Sequence, residues 1–183
     1  MTAVQEYVLL LDEHLNISGT MEKSLVHTNA TPLHLAFSCY IFNARNELLL
    51  TRRAIGKIAW PGVWTNSACG HPLPNETLPD AVIRRCYYEL GMNIETPTLI
   101  DESFRYCATD ASGIVENEYC PVFFARAASG PLPNKSEVMD FSWLPVEQVL
   151  AGVNAIPAAY SPWMVAQLQR PMIKAALIKQ IAP

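Results

Sequence analysis

Charged residues are scarce in this chain of 183 residues. Lys, Arg, Asp and Glu make up 16% of the sequence, against about 25% in an ordinary soluble domain. The 13 basic and 17 acidic residues give a formal net charge of −4 at pH 7, and no run of basic residues could follow a phosphate backbone. This composition disfavours nucleic-acid binding, and we expect no nucleic acid among the partners.

Signals of membrane insertion, secretion and disulfide pairing are also missing. The longest uncharged span, residues 148–169, contains Gly152, Pro157 and Pro162, which argues against a membrane helix. The first basic residue is Lys23, so no positively charged leader precedes an apolar stretch. Five cysteines without a CxxC pair favour a reducing compartment over a disulfide framework. We therefore expect a cytoplasmic protein that does not associate with membranes.

One uninterrupted globular pattern fills the sequence. A domain of this size can bury about 70% of its unfolded-chain surface, and half of the residues are apolar. Neither an internal repeat nor a Gly/Ser linker divides the chain. We expect a single domain over residues 1–183.

Strand patterns dominate the chain. Apolar residues predict a strand over residues 7–11, and residues 35–42 and 47–51 predict a hairpin with its turn at 43–46. The uncharged, Trp- and Pro-rich residues 58–75 predict a long ordered loop. Further strands are predicted over residues 103–108, 114–127 and 140–144.

Helix signals are clearest after residue 76. Thr77 is a suitable N-cap, Leu78 begins an apolar stripe at four-residue intervals, and Gly91 stands where a helix end favours a left-handed residue. A second helix is predicted after Pro145 and a last one after Ser161, with Pro171 kinking or splitting it. The interleaving predicts an α/β or α+β sandwich.

Three histidines and two glutamates are candidate metal ligands. His27, His34 and His71 flank predicted strands or lie in the long loop, and Glu116 and Glu118 alternate onto one face of a predicted strand. That face is otherwise apolar, so unpaired carboxylates there would be costly. A divalent metal held by imidazoles and carboxylates would offset this cost. The alternative is an edge strand with both glutamates in solvent.

Cys69 is the cysteine placed for chemistry. It lies in the long loop beside His71, where a metal or nearby cations could shift its pKa for acid–base or nucleophilic work. The alternative is a small buried residue. We give that interpretation to the other cysteines: Cys39, Cys86, Cys107 and Cys120.

The most specific pattern spans the loop and the helix that follows it. The skeleton of the Nudix box, whose helix glutamates hold a metal that binds a diphosphate, is matched by Gly70, Glu76, Arg84, Glu89 and Gly91. At two further positions where that box has acidic residues, this chain has Arg85 and Tyr88. Because this exchange removes metal-binding capacity and adds a phosphate-binding cation, it favours holding a diphosphate without hydrolysing it.

Taken together, the chain resembles the type I isopentenyl-diphosphate isomerases, a branch of the Nudix fold. The resemblance implies a Nudix-like mixed β-sheet flanked by helices. Its matching segments are HLAFSCYIFN (34–43), LLLTRRA (48–54), WPGVWTNSACGHP (60–72), AVIRRCYYELG (81–91), FRYCATD (104–110), GIVENEYCPVF (113–123) and SPWM (161–164).

The resemblance also implies an activity. Family members interconvert isopentenyl and dimethylallyl diphosphate by moving a proton through a tertiary carbocation, so the partner is a small-molecule prenyl diphosphate. By resemblance, Cys69 and Glu118 are the opposed acid and base, and Glu116 assists Glu118. Tyr106 would hydrogen-bond the carboxylate or relay a proton. Trp163 would turn its ring towards the cation.

Two divalent ions follow from the same resemblance. One tightly bound ion, Mg²⁺, Mn²⁺ or Zn²⁺, would be held by His27, His34, His71, Glu116 and Glu118. A second, Mg²⁺, would arrive with the diphosphate and bind Glu89 and a backbone carbonyl near Cys69. The diphosphate charge would be neutralised by Lys23, Arg53, Lys57 and Arg85. We expect a monomer or homodimer.

Two other functions stay open at this point. A Nudix pyrophosphohydrolase acting on a nucleoside or prenyl diphosphate would release phosphate. A non-catalytic module for a metal or diphosphate, with structural cysteines, would bind the ligand and leave it unchanged.

Overall fold

Two mixed β-sheets form the centre of the molecule, seen in a computed structural model that describes residues 6–181. In chain order the strands are β1 (Tyr7–Leu11), β2 (Ile17–Glu22), β3 (His34–Leu35), β4 (Phe37–Phe42), β5 (Leu48–Arg53), β6 (Trp64–Thr65), β7 (Ala68–Gly70), β8 (Thr98–Asp101), β9 (Arg105–Thr109), β10 (Val115–Tyr119), β11 (Val122–Arg126) and β12 (Val138–Leu144). The helices are α1 (Lys23–Val26), α2 (Leu78–Leu90), α3 (Val146–Ala155), α4 (Pro162–Gln169) and α5 (Pro171–Lys179), with a 3₁₀ turn at Pro157–Ala159.

The two sheets have different strand orders. The smaller sheet runs β2-β1-β3-β10-β9, and β10 is parallel to β3. The larger runs β12-β5-β4-β11-β8, with β6 paired to β5 and β7 to β4. Its β11 is parallel to β4. This α+β architecture confirms the predicted mixed sheet flanked by helices.

Strand β4 lies at the middle of the core because both of its faces are covered. Phe37, Cys39 and Ile41 belong to one apolar cluster with α2. Tyr40 and Phe42, one position out of phase, belong to a second cluster with α3, α4 and α5. Alternation along one strand therefore joins two helical layers through a single sheet.

Helix α2 begins and ends as its sequence predicts. The Thr77 side chain accepts a hydrogen bond from the Asp80 N–H at 3.3 Å, and Gly91 has a φ of 59° at the C-terminus. An added Cβ at Gly91 would lie 2.6 Å from the Leu132 carbonyl oxygen, so the position requires glycine on two grounds. The expected hairpin of β4 and β5 is also present, but its first strand begins at Phe37 rather than at residue 35, because Leu35 belongs to β3 in the smaller sheet. Pro171 begins α5 and so splits the last predicted helix in two.

The single strand predicted over residues 114–127 is wrong. It breaks before Pro121 into β10 and β11, which belong to different sheets. Proline cannot donate to a strand ladder, so the chain leaves one sheet there and enters the other. The break places the glutamates of β10 in the smaller sheet.

Two smaller expectations also need correction. The predicted loop over residues 58–75 contains the short strands β6 and β7, because its main chain pairs with β5 and β4. Cys107 is exposed on β9 rather than buried, whereas Cys39, Cys86 and Cys120 are buried as expected. Within residues 6–181, no helix has the length and apolar character needed to cross a membrane.

Candidate active site

One cavity of about 910 Å³ gathers nearly all of the candidate residues. Its walls come from both sheets and from α1, α2 and α4, so residues far apart in sequence meet there. The candidates that line it are Lys23, His27, Arg53, Lys57, Cys69, His71, Arg85, Glu89, Tyr106, Glu116, Glu118 and Trp163. His34 is fully buried and lies directly behind His71.

The structure brings together the residues we call the histidine cluster: His27, His34, His71, Glu116 and Glu118. His27 follows α1 and His71 follows β7, while the parallel register of β3 and β10 sets His34 beside Glu118. The Nε2 atoms of His34 and His71 are 3.2 Å apart, and His71 Nε2 is 3.1 Å from a Glu118 oxygen. The ring packing and strand register thus converge several ligand atoms on one point.

Several ring nitrogens and carboxylate oxygens of this cluster lie within about hydrogen-bond distance of one another. Nδ1 of His34 lies 2.9 Å from the Pro32 carbonyl oxygen and donates to it, which leaves Nε2 to offer a lone pair inward. His27 Nε2 and Glu116 Oε2 are 3.1 Å apart, and within the described part of the chain neither has a hydrogen-bond partner. Buried acceptors without donors are costly, and a cation would satisfy them.

The donor set fits a divalent metal. One ligand atom from each of His27, His34, His71 and Glu118 lies within 4.8 Å of the others. Glu116 adjoins this set through its contact with His27. Three imidazoles with carboxylate oxygens are ligands typical of first-row divalent ions.

Burial shifts the protonation of this cluster. It lowers the pKa of His71 to about 3, so the ring is neutral and able to bind a metal. Burial and the nearby charge of Glu118 raise the pKa of Glu116. Glu116 and Glu118 are only 5% and 7% exposed, and β10 lies between β3 and β9. The alternative of a solvated edge strand is therefore wrong.

Next to the cluster, Cys69, Tyr106 and Trp163 form an aromatic and thiol wall. The Tyr106 hydroxyl donates to Glu118 Oε2 at 2.8 Å, and the rings of Tyr106 and Trp163 are 5.8 Å apart. Burial raises the pKa of the Cys69 thiol to about 12. Burial also raises the pKa of Tyr106 well above its ordinary value, so both groups hold their protons at neutral pH.

Arg53 lies at this wall. Its guanidinium carbon is 5.2 Å from the centroid of the Trp163 ring, and its NH2 group donates to the Ala59 carbonyl at 2.7 Å. Its Nε donates to the carbonyls of Ala59 and Trp60. These contacts fix the arginine between the loop and the indole, where cation–π attraction holds it.

The other three cations belong to a second group of lining residues, which we call the charged rim: Glu6, Lys23, Lys57, Arg85, Glu89 and Glu137. Lys23 is 2.6 Å from Glu6, Lys57 is 2.5 Å from Glu137, and Arg85 forms an ion pair with Glu89 one helical turn away. Lysines and arginine alternate with carboxylates, so the six charges compensate one another.

No sequence pattern predicts Glu6 and Glu137 as residues of the site. Neither stands in a motif. Glu6 is 17 residues from its partner Lys23, and Glu137 is 80 residues from its partner Lys57. Gly70 gives the rim its close packing, because an added Cβ would lie 2.8 Å from Arg85 Cγ. The tight approach of Arg85 to β7 therefore depends on this glycine.

Glu76 and Arg84, two residues of the Nudix-box pattern, support the loop that carries His71. Arg84 donates from Nε and NH2 to both oxygens of Glu76, at 2.7 and 2.8 Å. Its NH2 also donates to the His71 carbonyl at 3.0 Å. A bidentate pair thus anchors the main chain next to the histidine cluster.

The fold, helix α2 with the residue spacing of the Nudix box, and the arginine pair that supports its loop define a Nudix domain. A family model of that domain matches residues 32–164. Curated relatives define the family further. Isopentenyl-diphosphate Delta-isomerase of Escherichia coli is 57% identical over 162 residues, which cover 88% of this chain and 89% of that protein. The enzyme of the same name from Klebsiella pneumoniae is 51% identical over 177 residues, 97% of this chain and 96% of the relative. The chain belongs to the isopentenyl-diphosphate Delta-isomerase family.

Solved structures agree on the fold. A crystal structure of a Deinococcus radiodurans protein has a TM-score of 0.63 at 18% identity, covering 82% of this chain and 90% of that one. The MutT protein of Methanosarcina mazei has a TM-score of 0.61 at 17% identity, covering 83% and 97%. At such low identity these structures establish the shared architecture alone.

Proposed function

We propose that this chain interconverts isopentenyl diphosphate and dimethylallyl diphosphate. The observation that carries the proposal is that the charged rim and Cys69, Tyr106, Trp163 and Glu118 line one and the same cavity. Curated relatives at 51–57% identity over most of their length bear the name of that isomerase. The cavity is thus divided between a place for a diphosphate and a place for proton transfer.

The reaction requires an acid, a base and a site without water. Protonation of the terminal alkene carbon gives a tertiary carbocation, and loss of a proton from the neighbouring methylene gives the isomer. Cys69 is protonated at neutral pH, which is the form that the acid of this reaction requires. Glu118, hydrogen-bonded by Tyr106, is the second proton-transfer group. Which of the two donates first depends on the direction of the reaction.

The carbocation needs stabilisation without a nucleophile. The Trp163 ring offers a π face, worth up to about 2 kcal/mol towards a desolvated cation. Trp163 is 3% exposed, and the Trp60 and Tyr106 rings are each 5.8 Å from it. These aromatic rings would exclude the water that could capture the cation.

The histidine cluster would hold the tightly bound ion, Mg²⁺, Mn²⁺ or Zn²⁺. Bound there, the ion would supply the positive charge that two buried carboxylates require. The residues that would hold it are His27, His34, His71, Glu116 and Glu118.

The charged rim would bind the diphosphate. Lys23, Lys57 and Arg85 are its cations, and Glu89 would hold a Mg²⁺ that accompanies the substrate. Arg53, placed over Trp163, adds positive charge beside the aromatic and thiol wall. Arg85 and Tyr88, whose ring is 4.9 Å from the guanidinium, stand where a hydrolase of this fold has acidic residues. This exchange disfavours hydrolysis. The cytoplasmic location and the monomeric or dimeric state stay predictions.

Proton NMR in D₂O tests the proposal. With isopentenyl diphosphate and Mg²⁺, we expect dimethylallyl diphosphate to appear with deuterium incorporated and without release of phosphate. Phosphate release would favour the hydrolase, and an unchanged ligand that still binds would favour the non-catalytic module. Either result would refute the isomerase.

A further inference from the structure

A fully buried amide, Asn66, lies between β6 and β7 behind the thiol and aromatic wall. Its Nδ2 donates to the main-chain carbonyls of Ala68, at 2.9 Å, and Cys39, at 3.2 Å. Both amide hydrogens are therefore used on the backbone of the larger sheet. This fixes the orientation of the side chain, and its Oδ1 faces the other way.

Three donors converge on that oxygen. The Cys69 thiol donates to Asn66 Oδ1 at 3.1 Å, the Trp163 indole Nε1–H at 3.1 Å, and the Thr65 hydroxyl at 2.9 Å. An amide oxygen can only accept, so the Cys69 hydrogen is aimed at Asn66. The thiol and the indole, which come from β7 and α4, thus share one acceptor.

A second chain of hydrogen bonds reaches the same sulfur from the opposite side. Tyr40 donates to Gln167 Oε1 at 2.8 Å, and Gln167 Nε2 donates to Ser38 Oγ at 2.9 Å. Ser38 Oγ is 3.5 Å from Cys69 Sγ. Ser38 Oγ also lies 3.4 Å from Cys120 Sγ, so its hydroxyl is shared between two sulfurs. The Cys69 sulfur therefore has the Asn66 oxygen as its acceptor and the Ser38 hydroxyl as a second neighbour.

We infer that Asn66 is a positioning residue for proton transfer: its single carboxamide oxygen sets the direction of the Cys69 thiol and the orientation of the Trp163 ring together. The inference rests on the proposed isomerase function. Because the two groups share one acceptor, a change at one must alter the hydrogen bond of the other. A side chain that only filled space would create no such coupling.

Infrared spectroscopy of the S–H stretch measures this coupling without substrate. The Cys69 band is isolated as the difference between the wild type and Cys69→Ser. In Trp163→Phe, which keeps an aromatic ring and removes the indole N–H, we expect a stronger thiol hydrogen bond and a shift to lower wavenumber. In Asn66→Ala the acceptor is gone, so we expect a shift to higher wavenumber. An unmoved band in Trp163→Phe would overturn the inference even if Asn66→Ala does not fold.

Kinetics supply the second measurement. We expect Asn66→Ala to lower kcat by about tenfold to 100-fold with KM near its wild-type value, since misplaced reacting groups carry such costs. Ser67→Ala is the matched control. Ser67 is equally buried next to Asn66, but it bonds only the backbone, accepting from Ile41 N–H at 2.7 Å and donating to Leu49 O at 2.6 Å. It should lower stability and leave kcat and the S–H band unchanged.

The two proposals fail in different ways. An inactive wild type with the expected band shifts would refute the isomerase and leave the shared acceptor standing. An active wild type whose Asn66→Ala variant keeps kcat, or whose Ser67→Ala variant reproduces the loss, would overturn the positioning role.

Discussion

The charged rim and the histidine cluster compensate their charges in opposite ways. In the charged rim, each cation has a carboxylate partner within the protein, such as Lys23 with Glu6 and Lys57 with Glu137. In the histidine cluster, three imidazoles and two carboxylates lie together, and His27 Nε2 and Glu116 Oε2 are buried without a hydrogen-bond partner within the described residues. The rim is electrostatically complete, whereas the cluster requires an added cation.

This difference separates two kinds of binding. A ligand at the rim exchanges existing ion pairs for new ones, so each cation contributes a difference between two favourable states. A metal at the cluster satisfies groups that are otherwise unpaired, and its removal restores the full cost of their burial. We therefore expect changes at the reacting groups and the cluster to have larger effects than changes at the rim.

The largest expected effect is on the reacting pair. Cys69→Ala and Glu118→Gln should each lower kcat by at least about 100-fold, the low end for acid–base groups. Isomer formation followed by NMR gives the rate. Cys107→Ala, on the exposed position of β9, is the control and should keep wild-type activity. Near-wild-type turnover of either variant would remove that residue from the mechanism.

Metal removal should lower stability next. Metal at 100 times its dissociation constant stabilises a fold by about 2.7 kcal/mol, which for a domain of this size is a Tm shift of about 5–10 °C. Adding divalent metal to chelator-treated protein should raise Tm by this amount. Glu116→Gln should lose much of the shift, whereas Lys57→Ala should keep it. Equal shifts in both variants would place the metal outside the histidine cluster.

A rim cation should affect binding more than chemistry. Lys57→Ala should raise KM by about tenfold, because a charged hydrogen bond of about 1.5–3 kcal/mol to the diphosphate is lost, part of which is offset by the Lys57–Glu137 pair that binding would have exchanged. Steady-state kinetics separate KM from kcat. Lys135→Ala, at an exposed site, should change neither. A fall in kcat at constant KM would place Lys57 with the reacting groups instead.

The smallest effect concerns an ion pair outside the cavity. Asp101 is 2% exposed and accepts hydrogen bonds from Arg170 and Ser103. Burial alone would raise the pKa of this carboxyl, but the bonds from Ser103 and the charge of Arg170 hold it below its ordinary value. Such a depressed pKa stabilises the fold above the unfolded value of about 3.9, and the stabilisation is lost as the pH falls through the folded pKa.

Asp101→Asn should therefore lower the free energy of unfolding by about 1–2 kcal/mol at pH 7 and leave kcat and KM unchanged. Denaturant unfolding at several pH values measures the difference, which should shrink towards pH 3. A difference that grows as the pH falls would contradict this sign.

Local patterns were enough to predict parts of this fold. Thr77 and Gly91 mark the ends of α2 because capping depends on neighbours within a few residues. Pro121 also carried a local signal, since a proline inside a strand pattern argues for a break, yet the strand pattern continues on both sides of it over 114–127 and concealed the break. Strand β3 has only two residues, too few to show a period, and its pairing with β10 depends on a distant part of the chain. The six residues of β2 include no buried side chain that would mark a core face.

The residues of the site also divide into those that the sequence predicts and those that only the folded chain reveals. Position on a predicted strand or in the long loop predicted the three histidines, Glu116, Glu118 and Cys69 as candidates. The spacing of the box added Glu89, and family resemblance added the remaining candidates. Glu137 and Asn66 were missed because their importance depends on what the fold brings next to them, Lys57 for the first and two functional side chains for the second. Such contacts are a property of the folded chain.

Metal content tests the central contrast most directly. Purified wild-type protein and two variants, His71→Ala and Lys57→Ala, should be compared by elemental analysis after removal of loosely bound ions. We expect about one divalent ion per chain in the wild type and in Lys57→Ala, and far less in His71→Ala, because the buried side-chain atoms without a hydrogen-bond partner among residues 6–181 belong to the cluster. A wild type without metal, or a His71→Ala variant that retains the full amount, would contradict the account.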